Sequence, residues 1–313
     1  MSSNAAELAS APPPPLAARA GTLDTLFMLA RREFWEHRVL WIAPLVTAVL
    51  LALCAVLGHA DVDGGSHGAI TARQKVALFT VVQWVLAQPL YLVMIFCVSF
   101  YLLDCLYAER KDRSILFWKS LPVSDGLTVL AKLAVALVAA PVVAFALALA
   151  ANLVFFAVLT VRMALGSLPA VLSWNTLEWF RTEIVLLLEM LLGALWYAPI
   201  AAYLLLVSAW ARRSPFLWAT LPPVMAPILE RIAFGTHYLW DFIADRTGGI
   251  WYTLQLGHEH FFGHFRDLRP VGDVLGVFNF GTAFTDIDLW LGVIAAAALV
   301  FAAARIRRYR DDS

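Results

Sequence analysis

Long runs of apolar residues without a charge constrain this sequence more than any other feature. A helix needs about 20 mostly apolar residues to cross the roughly 30 Å hydrocarbon core of a bilayer. Four runs satisfy this requirement, and two shorter ones extend to span length. We therefore expect an all-α integral membrane protein with six transmembrane helices, at about 39–60, 76–103, 127–160, 183–210, 214–234 and 286–305.

The composition agrees with a membrane protein. Hydrophobic residues make up 61% of the 313 residues and charged residues only 15%, with a mean hydropathy of +0.75. A soluble domain carries roughly 25% charged residues, so this chain has too few charges to cover a soluble surface. The 23 basic residues balance the 23 acidic ones, and this zero net charge argues against a nucleic-acid partner.

The fifth predicted span is interrupted by Pro222, Pro223 and Pro227. Membrane helices tolerate such prolines where neighbouring groups satisfy the freed carbonyls. We expect a kinked or broken helix packed inside the bundle, with milder bends at Pro89 and Pro141.

Lysines and arginines are concentrated on one side of the predicted topology. With six spans and the positive-inside rule, the basic-rich connections face the cytoplasm and both termini lie there. The first 38 residues lack the apolar core of a cleavable signal peptide.

Residues 1–21 are predicted to form a disordered cytoplasmic tail, and residues 22–38 an amphipathic helix. Apolar residues recur there at helical spacing beside several charges. This pattern favours a helix in the inner membrane interface, although it also fits a cytoplasmic extension of the first span. The residues assigned to the interfacial helix are Phe27, Arg31, Arg32, Phe34 and Trp35.

The connection at 104–125, DCLYAERKDRSILFWKSLPVSD, is too charged to enter the membrane and too apolar for a plain linker. Ser124 or Asp125 is suited to cap the next helix. A short helix of mixed character is suited to docking a soluble partner, although basic residues here also satisfy the positive-inside rule and Trp118 fits the lipid interface. The candidate docking residues are Glu109, Arg110, Arg113, Leu116, Trp118, Lys119, Leu121 and Pro122.

The sequence resembles the permease subunit of type-two ABC transporters across residues 22–310. The resemblance rests on "ARREFWEHRVLWIAP" before two spans, then "YAERKDRSILFWKSLPVSDGLTVLAKL", then four more spans. It implies an interfacial elbow helix at 22–38 and a coupling helix, within 104–125, that contacts a soluble ATPase. It further implies a location in the bacterial inner membrane among lipid, and export of an amphipathic or hydrophobic compound such as an antibiotic, a peptide or a lipid.

The chain itself contains no G-x-x-x-x-G-K-[ST] phosphate loop. The resemblance therefore implies two copies of a separate ATPase subunit, which would bind ATP and Mg²⁺. Six spans make half of the pathway in this family, so a second permease copy or a sister permease is also implied. We expect no catalytic residue, metal or cofactor in this chain.

A few polar residues fall inside the predicted spans. Glu189 lies in the fourth span, where a carboxylate is costly and usually faces protein or water. Gln83 and Gln88 lie in the second span and are suited to hydrogen bonds between helices. We assign Gln83, Gln88 and Glu189 to a possible substrate pathway or subunit interface, with simple packing as the alternative for the glutamines.

The outer segment at 235–285 is rich in aromatic residues and too long to be structureless. By the same family resemblance, we expect re-entrant helices in the outer leaflet before span six. His258, His260 and His264 lie within it, and His260 and His264 would share a helix face suited to zinc. Polar residues at the outer rim are the simpler interpretation.

Two other functions stay open at this point. One is an integral membrane enzyme with a histidine-containing site on the outer face. The other is a membrane regulatory subunit without a transport pathway of its own.

Overall fold

Helices form the part of the chain described by the computed structural model, which covers residues 21–58, 72–115, 123–165, 174–253 and 284–309. This confirms the all-α class. Eight helices lie within these ranges: α1 Thr22–Glu36, α2 Val39–Leu57, α3 Ala72–Lys111, α4 Asp125–Ala164, α5 Thr176–Trp210, α6 Pro215–Phe234, α7 Tyr238–Thr253 and α8 Ile287–Tyr309.

Among the described residues, five helices are long and apolar enough to cross a bilayer, namely α2, α3, α4, α5 and α8. A helix, α6, also lies at the predicted fifth span and is 20 residues long. Only Ala219 and Pro227 of this helix are buried, so the prediction that it packs inside the bundle is wrong for the described part of this chain. Its four prolines and the Glu230–Arg231 pair lower its mean hydropathy, so it does not belong to this group. The structure supports five spans by length and hydropathy, and the sixth stays a prediction.

Parts of the predicted architecture lie outside the described residues. These parts include residues 1–20, most of the predicted coupling helix with Leu116, Trp118, Lys119, Leu121 and Pro122, and residues 254–283 with His258, His260 and His264.

The centre of the bundle is α5, which packs against α8 along one side and against α3 along another. Its buried face includes Leu186, Ala201, Ala202 and Leu205, none of them exposed. Small residues such as these alanines let helix backbones approach closely, which is how helices associate in lipid. By contrast, α2 is peripheral and exposes most of its apolar side chains.

A local change in helix type occurs in α4. Residues Val135–Ala139 form a π-helical turn immediately before Pro141. Proline has no backbone N–H and its ring crowds the preceding turn, so a widened turn relieves the contact. The distortion lies where Pro141 was expected to bend the span, and it borders the cavity described below.

Candidate functional site

Five charged side chains form a cluster that joins four helices at one end of the bundle. Lys132 of α4 is only 2% exposed; its Nζ pairs with the Glu33 carboxylate of α1 and lies 3.0 Å from Glu109 Oε1 of α3. Arg307 of α8 places Nη2 2.9 Å from Glu109 Oε2 and Nη1 3.4 Å from Asp125 Oδ1. We call Glu33, Glu109, Asp125, Lys132 and Arg307 the charge cluster.

The sequence brings these groups together through helix packing. Lys132 lies on the buried face of α4 with Thr128, Val129 and Ala131, and α1 packs against this same end of α4. Arg307 lies in the last turn of α8, where a cation interacts favourably with the helix dipole. Burial of Lys132 and Arg307 is costly, and only close carboxylates compensate it.

Ser124 caps the start of α4, as expected. Its Oγ accepts a hydrogen bond of 3.2 Å from the Leu127 N–H. Asp125, the other candidate cap, pairs with Arg307 instead. The first residues of α4 are therefore fixed both by a helix cap and by an ion pair.

Arg110 ties α3 to the carboxyl end of α5. Its Nη2 donates to the backbone oxygens of Ser208, at 2.6 Å, and Ala211, at 2.8 Å. Ser208 Oγ in turn accepts from the N–H groups of Leu106 and Tyr107, each at 3.1 Å. Because the last carbonyls of a helix lack partners within it, this arginine satisfies groups that would otherwise be unpaired.

The predicted docking residues therefore divide into three groups. Glu109 and Arg110 have their charged groups engaged within the chain. Arg113 is exposed, with a φ of 58° just beyond the end of α3. The other five, from Leu116 to Pro122, lie outside the described residues, so docking by this connection stays a prediction.

The residues assigned to the elbow helix lie on α1, which is a helix as predicted. Phe34 packs against the apolar core, whereas Phe27, Arg31, Arg32 and Trp35 are exposed. The Trp35 ring contacts the rings of Phe34 and Trp41 edge to face. The exposed aromatic and basic groups are typical of a helix at a membrane interface.

Two of the three predicted pathway residues, Gln88 and Glu189, line one cavity between α3, α4, α5 and α7. Glu189 is 7% exposed, and its Oε2 accepts a 3.1 Å hydrogen bond from Trp84 Nε1. Gln83 is fully buried, and its Nε2 donates to Phe79 O within its own helix, at 3.5 Å.

Sequence reasoning missed several partners in these sites. The sequence patterns predict no functional role for Glu33, Lys132 or Arg246. The available signal for Lys132 was a single cation within the apolar run LTVLAKLAVALVAA, since such a charge needs a buried partner. Glu33 and Arg246 carried no comparable signal, because each lies among other charged residues.

Replacing Lys132 by methionine is expected to destabilise the protein strongly. Removing one partner of a buried ion pair leaves uncompensated charges and costs about 3–5 kcal/mol. The melting temperature of purified protein in detergent, followed by tryptophan fluorescence, should fall clearly. Lys75→Met, at a half-buried lysine near the other end of α3, should change it little. Equal melting temperatures for wild type and Lys132→Met would contradict the assigned role.

Arg110 and Arg113 are expected to differ although they lie three residues apart. Arg110→Ala removes charge-assisted hydrogen bonds, typically worth about 1.5–3 kcal/mol, and should lower the melting temperature. Arg113→Ala affects an exposed side chain and should leave it unchanged within error. A larger decrease in melting temperature for Arg113→Ala than for Arg110→Ala would contradict the role of Arg110 as the link between α3 and α5.

Comparisons of this chain with protein-family models, curated proteins and solved structures found no match. The function is therefore inferred from the charge cluster, from the hydrogen bonds of Arg110 to α5 and from the family resemblance of the sequence.

Proposed function

We propose that this chain is the membrane-spanning permease subunit of an ATP-driven ABC transporter, exporting an amphipathic or hydrophobic compound such as an antibiotic, a peptide or a lipid. Two copies of a soluble ATPase, with ATP and Mg²⁺, supply the energy. A second copy of this chain or a sister permease completes the pathway. The chain lies in the inner membrane of a bacterium with both termini in the cytoplasm.

The charge cluster is the observation that carries this proposal. Its residues bracket the connection between α3 and α4, with Glu109 before it and Asp125 and Lys132 after it. The same cluster includes Glu33 of the proposed elbow helix and Arg307 of the last helix. A force applied to this connection therefore acts on four helices at once.

This arrangement suits the coupling of ATP hydrolysis to movement in the membrane. Buried ion pairs have strict geometry, so a displaced Glu109 pulls on its partners in α4 and α8 rather than sliding past them. Arg110 extends the linkage to α5. In this proposal, movement of the ATPase subunits is transmitted through the connection to α1, α3, α4, α5 and α8.

The proposed topology includes α6 as a sixth span and α7 as a helix that folds back into the outer leaflet. Two hydrogen bonds from side chains to backbone oxygens support the position of α7. Arg246 Nη2 donates to Asp288 O at the start of α8, at 2.7 Å, and Trp196 Nε1 of α5 donates to Arg246 O, at 3.1 Å. Such contacts hold α7 against the bundle.

Topology reporters fused after Gly58 and at the carboxyl terminus test the sixth span. Alkaline phosphatase, which is active only outside the cytoplasm, should be inactive when fused to the carboxyl terminus, and green fluorescent protein fused there should fluoresce. The phosphatase fused after Gly58, at the end of α2, should be active. The six-span arrangement would be contradicted if the phosphatase were active both after Gly58 and at the carboxyl terminus.

Charge reversal in the connection tests the coupling role. Co-expression with a cognate ATPase that contains a phosphate loop should yield a stable complex. Arg113→Glu should reduce the recovered ATPase about tenfold, equivalent to about 1.4 kcal/mol. Arg231→Glu, the same change at an exposed arginine near the opposite end of the bundle, should have no effect. Equal losses in both variants would argue against docking at this connection.

The alternative enzyme function is separated by a second arm of the same experiment. His258→Ala, His260→Ala and His264→Ala should leave ATPase binding and transport intact. The permease proposal would give way to a membrane enzyme if the wild-type chain bound no ATPase and had an enzymatic activity that these histidine variants lose.

A further inference from the structure

A cavity of about 140 Å³ lies between α3, α4, α5 and α7, and the coupling role described above makes no use of it. Its walls are mostly apolar and include Met94, Val98 and Ile200. Because Gln88 and Val98 of α3 both line it, the cavity extends about 15 Å along the helix axis at 1.5 Å per residue. The space is therefore narrow and elongated.

Two opposite charges line this cavity without pairing with each other in the described structure. The Glu189 carboxylate accepts from Trp84 Nε1, and the Arg246 guanidinium stacks over the Trp196 ring at 5.0 Å. Glu189 and Trp196 are two turns apart on α5, about 10 Å along the axis. The negative and positive groups are therefore separated along the length of the cavity.

The Gln88 side chain is hydrogen-bonded to Glu189. Two further polar atoms of residues that line the cavity, Tyr91 OH and Arg246 Nη1, are buried and lack hydrogen-bond partners among the described residues. Buried polar groups in native proteins are nearly always satisfied by protein, ordered water or a ligand. Both atoms belong to residues of one cavity wall, which favours a polar ligand within apolar surroundings.

Arg246 is held in a fixed position. Its Nη2 donates to Asp288 O, its backbone oxygen accepts from Trp196 Nε1, and its Nη1 lies against Gly292 of α8. Gly292 makes room for the guanidinium, since a Cβ there would lie 2.6 Å from Nη1. A larger residue at 292 would displace the cation without removing it.

We propose that this cavity binds an unbranched amino carboxylate, with its ammonium group beside Glu189 and its carboxylate beside Arg246. The apolar chain between the two charges lies along the apolar wall. The Tyr91 hydroxyl oxygen and the Gln88 amide oxygen each offer an acceptor to the ammonium end. A ligand with only an ammonium or only a carboxylate group leaves one charge of the cavity wall unpaired. Recognition therefore requires a ligand that carries both groups.

Calorimetric titration of the purified chain tests this site with three probes of equal length, 6-aminohexanoate, hexanoate and hexylamine. We expect 6-aminohexanoate to bind at least tenfold more tightly than the other two. Hexanoate or hexylamine binding as tightly as 6-aminohexanoate, or no binding of any probe, would overturn the proposal.

Variants of the same chain locate the bound probe. Glu189→Gln and Arg246→Gln should each weaken 6-aminohexanoate binding at least tenfold, as should Gly292→Leu. The matched control is Glu183→Gln, at a buried carboxylate of the same helix that does not line the cavity. Unchanged binding in the first three variants would overturn the proposal, and the wild-type probe series decides it if a variant fails to fold.

The titration uses this chain without an ATPase. Its failure therefore leaves the proposed permease function untouched, and loss of ATPase docking leaves this site untouched.

Discussion

A lysine side chain enclosed by two carboxylates holds one end of this bundle together. Lys132 is almost fully buried and contacts Glu33 and Glu109, and Glu109 also contacts Arg307. Lipid-exposed apolar faces provide little force to select one helix neighbour over another, because lipid chains are equally apolar. The strict geometry of the charge cluster provides that selection for α1, α3, α4 and α8.

Much of the fold could be predicted because each membrane span is a continuous run of apolar residues in the sequence. Helices appear at all six expected positions, and α3 and α5 extend beyond the predicted 76–103 and 183–210 because the helices continue into the charged residues that flank the apolar runs. The count of spans was less predictable. The prolines of α6 preserve a helix while lowering its mean hydropathy, so length and hydropathy lead to different conclusions there.

The sites were harder to predict because their contacts join distant parts of the chain. Glu109 and Arg110 were identified from the connection that contains them, yet their partners Arg307 and Ser208 lie about a hundred residues or more away. No local pattern encodes these pairings. Nor could the sequence distinguish Arg110, which clamps α5, from Arg113, which is exposed, since both belong to the same charged run.

Contacts with neighbouring helices explain where polar groups are tolerated along α5. Ser208 and Glu189 are separated by about 28 Å of this helix at 1.5 Å per residue. Between them, Tyr197 shares a 2.8 Å hydrogen bond with Ser99 of α3, and the Trp196 ring lies under the Arg246 guanidinium of α7 at 5.0 Å. Polar groups within a span are costly unless they face protein, and these groups meet partners on other helices. The sequence placed the Glu189 carboxylate within a span; the packing of α5 against α3 explains why it can remain there, bonded to Trp84.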